Sequence, residues 1–403
     1  MRSGIGAKDF LRYVGPTLLV SIAYMDPGNY AADIQAGGNF GYKLVWTVWL
    51  SSGIGLLMQY LSGKLGIVRS ASLAEEIRGV LRRRSLTYLY WLTAEAAVAS
   101  TDLAEFLGFA LGLTLLLGLP LVVSAFIASL TVLSTLVNSA GDHRVLKLLF
   151  GGAVSCIGSA FLTEVFLVHP NPIEVAQHSL LPMAISREGT IYVLGMLGAT
   201  VMPHALYTHS YLTKVGSRNG DKERHLQLHT LENAVFLLYA TLVNIAILSV
   251  SASATESAFG GDLQGFFSLL LQRFGSVAAY AFALSLLASG LASSNLSVLS
   301  GQVIMEGFLG KSVSPLLRRS LNRGLNVFIT ALALAAGLTP LSLLFYSQVF
   351  LSIILPTALV PLVYFTNSRR YMGKEVNCLA IKVLSVTSVA MLLLLNGYFL
   401  ATL

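Results

Sequence analysis

Apolar runs long enough to cross a lipid bilayer constrain this chain more than any other feature. A bilayer-spanning helix needs about 20 consecutive apolar residues. Only 11% of the 403 residues are charged, against about 25% in soluble domains. The sequence therefore predicts an all-α polytopic membrane protein, with one integral membrane domain over residues 1–403. Eleven transmembrane helices are expected near residues 14–38, 43–66, 86–116, 119–139, 145–168, 190–213, 230–252, 276–300, 323–339, 342–366 and 380–401.

The lysines and arginines are distributed unevenly between the gaps that separate these runs. With the N-terminus placed in the cytoplasm, 23 of the 26 fall on the cytoplasmic side, and only Lys43, Arg187 and Arg273 fall on the other. This bias follows the positive-inside rule and predicts a cytoplasmic N-terminus and an extracytoplasmic C-terminus. The net charge of +7 forms no basic patch with interleaved aromatic residues, so no nucleic-acid partner is expected. The two cysteines, Cys156 and Cys378, provide no disulfide framework.

Two of the apolar runs are interrupted at their midpoints by residues that do not suit a buried helix. The first run contains Asp26–Asn29, and the sixth contains Ala199–His204. Each stretch includes a proline, which removes a backbone donor and clashes with the preceding turn. An unwound turn inside a membrane is tolerated only where it is buried in protein or lines a wet cavity. We therefore expect discontinuous first and sixth helices.

The spacing of the two interruptions predicts an internal repeat. Because they lie five helices apart, helices 1–5 (14–168) and helices 6–10 (190–366) face opposite ways through the membrane. Paired broken helices in matching positions are typical of inverted-repeat transporters, which bind substrate near the bilayer midplane. The run at 380–401 is then an additional helix outside the 5+5 repeat.

The residues at the two interruptions form an unusual set of metal ligands. Asp26 offers a carboxylate, Asn29 a carboxamide oxygen, Met202 a thioether, and the unwound turns offer backbone carbonyls. Oxygen ligands alone suit Mg²⁺ and Ca²⁺, whereas a soft sulfur shifts the preference toward later metals. The expected substrate is therefore a divalent transition metal such as Mn²⁺ or Fe²⁺, with Cd²⁺ also accepted.

Three acidic residues of the third run fall on one face of a helix. Glu95, Asp102 and Glu105 are separated by seven and three residues, so they share a face over about 15 Å of rise. Carboxylates inside a membrane span face the bundle interior and are usually functional, and these can pass protons along the helix. Mutual satisfaction of polar groups within the bundle is the structural alternative.

Basic residues elsewhere supply partners for that acidic face. Arg318 and Arg319 are candidate counter-ions at the start of the ninth helix. His204 lies beside the second interruption and is the better candidate for tuning Asp26, and His209 is a further candidate proton carrier.

Other functional classes are less compatible with the sequence. An intramembrane metalloprotease needs a motif such as HExxH, but His204 and His209 are five residues apart with no glutamate between them, and a Gly-x-Ser-x-Gly elbow is absent. A sodium-coupled amino-acid symporter would cradle a substrate carboxylate at the break, which Asp26 would repel. A channel stays open as an alternative, although inverted halves favour a carrier.

Several stretches closely resemble the signatures of the Nramp family, which comprises proton-coupled divalent metal transporters with a leucine-transporter-like fold. They are Ser21–Asn29, Ala99–Phe106, Gly198–His204, Ala288–Ser294 and Gly301–Phe308. The resemblance extends along essentially the whole chain. Relatives that move Mg²⁺ or Al³⁺ typically lack the methionine, so Met202 favours the transition-metal branch.

The resemblance implies a ligand set and a mechanism. The metal would be held by Asp26, Asn29 and Met202, with the carbonyls of Ala23 and Ala199 entering in different conformations. Gln348 would approach the ion on occlusion, and a helix–helix hydrogen bond is its equally weighted alternative. An ion-pair network of Arg318 and Arg319 with the acidic face would lead protons away from the metal path.

The function implied is symport rather than an enzymatic reaction. Mn²⁺ and Fe²⁺, and also Cd²⁺ and Co²⁺, would be imported with H⁺ by alternating access. The expected setting is a bacterial plasma membrane, with metal ions, protons and the lipid bilayer as partners and with no prosthetic group or obligate protein partner.

Overall fold

A computed structural model describes residues 15–139, 143–183, 186–217, 221–254 and 259–402, with side chains in these ranges except at 133–139, 143–149 and 315. Within these ranges the chain is helical and contains no β-strand. The N-terminal residues 1–14, which carry part of the predicted cytoplasmic charge, lie outside the described residues.

The helices of the first half follow the predicted apolar runs, with two short helices connecting them. They are α1 (Pro16–Ser21), α2 (Pro27–Phe40), α3 (Val45–Arg69), α4 (Leu73–Val80), α5 (Arg84–Leu117), α6 (Leu121–Ser139), α7 (His143–Val168) and α8 (Pro172–Leu180). Single 3₁₀ turns, Ile22–Met25 and Gly41–Leu44, join α1 to α2 and α2 to α3.

The second half repeats this pattern of long helices and short connections. It contains α9 (Arg187–Thr200), α10 (Pro203–Gly216), α11 (Lys222–Ala252), α12 (Leu263–Phe274), α13 (Ser276–Leu309), α14 (Pro315–Ala335), α15 (Pro340–Ile354), α16 (Pro356–Asn367), α17 (Arg369–Met372) and α18 (Leu379–Thr402). Four of these helices begin at a proline, which suits the first helical position because the N–H there has no intrahelical partner.

Seven helical stretches in the described part of the chain are long and apolar enough to cross a membrane, or eight if the pair 316–335 and 340–354, bent by 118°, counts as one. One of the seven, Pro16–Arg69, has 54 residues, which at about 1.5 Å per residue exceeds twice the roughly 30 Å hydrocarbon core. The polytopic, all-helical prediction is thus confirmed, whereas the number of eleven spans stays a prediction.

Both predicted interruptions are present, and the first lies closer to the N-terminus than expected. Asp26 is extended (φ −81°, ψ 167°), and α2 begins directly after it at Pro27. Gly28 and Asn29 are therefore in the first turn of a helix rather than in the unwound segment. The second interruption consists of Val201 and Met202, between the end of α9 and the start of α10.

Glycines bring α5 and α13 into direct backbone contact. A Cβ atom at Gly290 would lie 2.5 Å from the backbone nitrogen of Phe109, and one at Gly112 would lie 2.7 Å from Cα of Leu287. Small residues at such contacts let transmembrane helices approach closely. On the same face of α5, Gly108 leaves room for the ring of Pro27, because a Cβ there would overlap that ring.

Helix α15 passes between the two broken helices. A Cβ atom at Gly198 of α9 would overlap the carbonyl oxygen of Gln348, and one at Gly28 of α2 would overlap its side-chain amide. Both positions need glycine because another backbone or a buried side chain approaches closely. Gln348 is therefore enclosed by the residues next to both breaks.

We expect Gly198→Ala to destabilise the protein, because the added methyl group has no space against α15. Overpacking of this kind costs about 1–3 kcal/mol, and the measurement is the thermal unfolding midpoint of purified protein in detergent. Gly53→Ala is the matched control, since a Cβ at Gly53 of α3 has no neighbour within 4 Å among the described atoms. Equal midpoints for the two variants would contradict the packing described.

Candidate metal-binding site

The first break frees three successive backbone carbonyls, and each accepts a hydrogen bond from a side chain. The pairs are Asn29 of α2 to Ala23 (3.1 Å), Asn244 of α11 to Tyr24 (3.0 Å) and Ser289 of α13 to Met25 (2.6 Å). Unsatisfied backbone groups are costly away from water. The non-helical backbone of the break is therefore stabilised by donors from three different helices.

Oxygen atoms from both broken helices converge on one buried point. The side-chain nitrogen of Asn29 lies 2.8 Å from Oδ1 of Asp26, 3.1 Å from the carbonyl oxygen of Ala23 and 3.0 Å from that of Ala199. Because three acceptors surround this atom, the amide must present its N–H₂ group there. Asp26 and Asn29 are fully buried. One carboxylate and two carbonyl oxygens around a single point are a suitable ligand set for a divalent cation.

The remaining polar atoms of Asp26 and Asn29 face elsewhere. Oδ1 of Asn29 lies 3.4 Å from both the hydroxyl of Thr200 and the side-chain nitrogen of Asn244. Oδ1 of Asp26 also caps α2 by accepting from the backbone N–H of Asn29 at 2.8 Å. Oδ2 of Asp26 has no hydrogen-bond partner among the described residues, so one anionic oxygen is available to a ligand.

Met202 and Gln348 are both buried and lie, respectively, within the second break and against the first turn of α2. Met202 is fully buried at the residue that precedes α10. The amide nitrogen of Gln348 donates to the hydroxyl of Ser347 at 2.9 Å. Its Oε1 is buried with no hydrogen-bond partner in the described part of the chain, although the side chain packs against Gly28.

The acidic face of α5 meets the basic face of α14. Glu95 pairs with Arg318 and accepts a hydrogen bond from Trp91 at 2.9 Å. Asp102 lies at the centre of a larger group, whose members are Asn326 (2.7 Å), Ser297 (3.0 Å), Arg319 (3.5 Å) and Arg323 (3.8 Å). The structure thus brings together the predicted carboxylates and arginines.

Glu105 and His204 are two further buried polar groups of this region. Glu105 is fully buried, and neither of its oxygens has a hydrogen-bond partner within the described ranges. It is in electrostatic range of both Asp26 and Asp102. Nδ1 of His204 is 3.2 Å from the hydroxyl of Thr101 on α5, so His204 connects the second break to the acidic helix.

His209 is in a different environment from His204. Its Nδ1 is 2.7 Å from Oε1 of Gln59, and its Nε2 is 3.4 Å from the hydroxyl of Thr17. The ring also meets that of His229 edge to face, with centroids 5.0 Å apart. These contacts place His209 against α1, α3 and α11.

Several residues of the site were missed by the sequence analysis. The ninth span was predicted from residue 323, but α14 begins at Pro315, so Arg318 and Arg319 lie within the helix. Arg319, Arg323 and Asn326 are spaced by four and three residues, which is the helical signature of one shared face. Asn244 was detectable as a carboxamide within the mainly apolar stretch 234–252.

Glu232 of α11 was also missed, and it caps the first helix. Its Oε1 accepts from the backbone N–H groups of Gly15 (2.8 Å), Thr17 (3.2 Å) and Leu18 (3.3 Å). A carboxylate at a helix N-terminus satisfies unpaired N–H groups and interacts favourably with the helix dipole. The short helix α1 is therefore attached to α11 through one buried side chain.

A family model described as Natural resistance-associated macrophage protein-like, or Nramp, matches residues 17–402. The chain belongs to the Nramp family. A divalent metal cation transporter, MntH, from Caldanaerobacter subterraneus subsp. tengcongensis is 33% identical over 402 residues, covering 98% of this chain and 94% of its own length.

Solved structures of Nramp relatives and of a more distant transporter agree on the fold. The Eremococcus coleocola manganese transporter, in complex with an aromatic bis-isothiourea substituted compound, superposes with a TM-score of 0.87 at 30% identity, covering 98% of this chain and 87% of that one. A transporter of the nucleobase-cation-symport-1 family gives 0.54 at 14% identity, covering 96% and 89%, and shows the fold alone.

These comparisons confirm the predicted Nramp family and the leucine-transporter-like fold. The chain is an integral membrane protein of a family whose matched relatives are named as transporters rather than as enzymes. The repeat boundaries 14–168 and 190–366 and the additional helix at 380–401 stay predictions.

We expect Glu232→Ala to destabilise this Nramp protein by about 2 kcal/mol, because the N–H groups of Gly15, Thr17 and Leu18 lose a charged acceptor. Glu232→Gln should have an intermediate effect, since one neutral acceptor remains. The measurement is thermal unfolding in detergent. Glu306→Ala, which removes an exposed carboxylate from α13, is the control, and an equal loss in both alanine variants would refute the capping role.

Proposed function

We propose that this Nramp-family protein is a proton-coupled symporter that imports divalent transition-metal ions, chiefly Mn²⁺ and Fe²⁺, by alternating access. The relatives named as a divalent metal cation transporter and a manganese transporter support metal transport. One observation carries the proposal: oxygen atoms of Asp26, Ala23 and Ala199, drawn from both broken helices, surround a single buried point. The proposed setting is a bacterial plasma membrane with the N-terminus in the cytoplasm.

Binding of a cation at this point requires the side-chain amide of Asn29 to flip, so that its nitrogen and oxygen exchange places. The N–H₂ group that now lies among the three oxygens would repel a metal ion. Rotation about the Cβ–Cγ bond exchanges it for Oδ1, which adds a fourth oxygen ligand. The displaced N–H₂ group then faces the hydroxyl of Thr200, which is able to accept its hydrogen bond. The side-chain nitrogen of Asn244, which lies at the same distance of 3.4 Å, must then move away because it is also a donor. Asn29 thus serves as a donor in the metal-free site and as a ligand in the loaded one.

Selection among metals is assigned to Met202. A thioether adds little to the binding of Mg²⁺ or Ca²⁺ but suits softer transition metals. A single aspartate, Asp26, balances only half of a 2+ charge. Binding is therefore moderate and reversible, as a carrier requires.

Proton movement is assigned to the polar groups that lead away from Asp26. Glu105 and His204 are buried next to the metal site, and the arginines around Asp102 continue the polar path along α5 and α14. In the outward-open state protons and metal enter together. An inside-negative potential of 100 mV favours the entry of each positive charge by about 2.3 kcal/mol, and rocking of the helices that carry the breaks would provide alternating access.

We expect Asp26→Asn and Asp26→Ala to abolish Mn²⁺ uptake into proteoliposomes, because both remove the carboxylate at the convergent point. Asp221→Asn is the control, since it changes an exposed residue before α11 to an equally good helix cap. Wild-type uptake rates for the Asp26 variants would exclude the assigned site. Isothermal titration with Mn²⁺ and with a panel of amino acids separates metal transport from amino-acid symport.

For Met202→Ala the expected result is retained Mn²⁺ transport with weaker discrimination against Ca²⁺ and Mg²⁺, because the sulfur ligand is lost. Competition of each ion with radioactive Mn²⁺ provides the measurement. Met196→Ala removes another buried methionine from the same broken helix and should leave selectivity unchanged. If the two variants have the same selectivity, sulfur has no part in the choice of metal.

A crystal soaked in Mn²⁺ should give an anomalous peak between residues 26–29 and Met202. In that structure Oδ1 of Asn29 is expected to face the ion, and its nitrogen is expected to face Thr200. A peak at this position with the Asn29 nitrogen still bonded to Ala23 and Ala199 would disprove the rotation while leaving the metal site intact.

A further inference from the structure

A basic cavity of about 510 Å³ lies at the end of the bundle where α3 ends and α5 begins. It is lined by three arginines, Arg69, Arg82 and Arg370, together with Glu76 and Tyr371. This end of the bundle is the predicted cytoplasmic face. The cavity is separate from the proposed metal site and from the residues assigned to proton movement.

The charges that line the cavity do not balance. Glu76 is the one carboxylate among its described lining residues, and it is already bonded to Nε of Arg69 at 2.8 Å. The guanidinium groups of Arg69 and Arg370 lie 5.7 and 5.9 Å from the centre of the Tyr371 ring. Positive charges gathered in this way repel one another, and a bound anion would reverse that repulsion.

The walls of the cavity are firmly held. Helix α4 begins with a capping box of Ser72 and Glu75, and Lys214 of α10 bonds the Glu75 carboxylate at 2.7 Å. Burial would raise the pKa of Glu75, but the hydrogen bonds from Lys214 and Ser72 outweigh it and keep that pKa below its usual value. On the opposite wall, the Tyr371 ring packs edge to face on Phe365, with centroids 4.9 Å apart. A preformed site loses little entropy when it binds its ligand.

Exposed tyrosine and apolar side chains lie at the rim of the cavity. Tyr364 at its rim is 55% exposed on the outer side of α16, and Val80 is 46% exposed on α4. Leu89, in the second turn of α5, is also an exposed apolar residue. Tyrosines favour the membrane–water interface, and basic pockets on the cytoplasmic side of membrane helices bind anionic headgroups.

We propose that this cavity binds a phosphate group, carried by the headgroup of an anionic lipid in the same leaflet. The planar guanidinium of arginine matches phosphate oxygens with two parallel hydrogen bonds. Arg82 reaches the phosphate from the loop before α5 and Arg370 from α17, and Arg69 remains fixed by Glu76. An anion bound here joins the loop before α5 to the end of α16.

The test uses two double variants with the same change in net charge. Arg82→Gln with Arg370→Gln removes two lining residues, whereas Arg83→Gln with Arg369→Gln removes their exposed sequence neighbours, which do not line the cavity. Purified full-length protein in a zwitterionic detergent receives phosphatidylglycerol, phosphatidylcholine or inorganic phosphate. Lipid retention by native mass spectrometry and the thermal unfolding midpoint are measured for each.

Phosphatidylglycerol should bind to the wild type and to the Arg83/Arg369 variant and raise their unfolding midpoints, whereas phosphatidylcholine should not. Binding to the Arg82/Arg370 variant should be weaker by roughly thirtyfold, the effect of two charges at the membrane surface. The same variant dependence with inorganic phosphate would support the phosphate site and assign it to a soluble source.

Equal losses in both double variants, or no preference for phosphatidylglycerol, would overturn the proposal. If the Arg82/Arg370 variant fails to fold, the single variants Arg82→Gln and Arg83→Gln provide the same comparison at exposed positions. Arg82→Lys with Arg370→Lys keeps the charge but removes the planar fork, and its binding should fall between that of the wild type and the glutamine variant. Binding does not depend on metal transport, so this test is independent of the proposed function.

Discussion

Hydrogen bonding of the carbonyl groups at Ala23, Tyr24 and Met25 is the interaction on which the rest of the structure depends. An unwound turn leaves these groups without helical partners, and a lipid environment provides none. Side chains from α2, α11 and α13 supply the missing donors. The positions of these helices are therefore fixed by the requirements of the break. The same requirement bears on the proposed site, since a carbonyl that accepts from a side-chain amide would be available to a cation once that amide rotates away.

The broad architecture was predictable because each constraint was local. The length of an apolar run predicts a membrane span, and a proline with polar neighbours in the middle of such a run predicts a break in the helix. The exact start of α2 was not predictable in this way. Pro27 interrupts a helix when it lies within one, but at the first helical position it begins one, and only the extended conformation of Asp26 shows which applies. The ninth span was predicted to start at residue 323, after the arginines, whereas α14 begins at Pro315. The sequence alone does not show that Asp102 of α5 pairs with Arg319 and so allows this arginine to be buried.

The composition of the proposed site was more predictable than its geometry. Asp26 and Asn29 are three residues apart, so their proximity follows from the first turn of α2. The role of the Asn29 amide does not follow, because it depends on the carbonyl of Ala199, which is 170 residues away in the sequence. Asn244 and Ser289, which bond the carbonyl groups of Tyr24 and Met25, come from other spans. Which way these side chains face depends on how each helix is rotated about its axis, and helix packing determines that rotation. Long-range contacts of single polar side chains leave little trace in an apolar sequence.

The glycine contact between α5 and α13 has a mechanical consequence. No side chain lies between Gly290 and the backbone of Phe109. A shift of α13 along α5 therefore cannot be accommodated by a change of side-chain rotamer at this contact, and the two helices pack rigidly there. Pro27 packs against α5 at Gly108, which anchors the start of α2. Helix α1, on the other side of the 3₁₀ turn, is attached to α11 and α10 by the carboxylate of Glu232 and the hydroxyl of Thr17, which are buried side-chain contacts. The two halves of the broken span are thus held by different contacts. Close backbone packing holds α2, and side-chain hydrogen bonds hold α1 on the other side of residues 22–26.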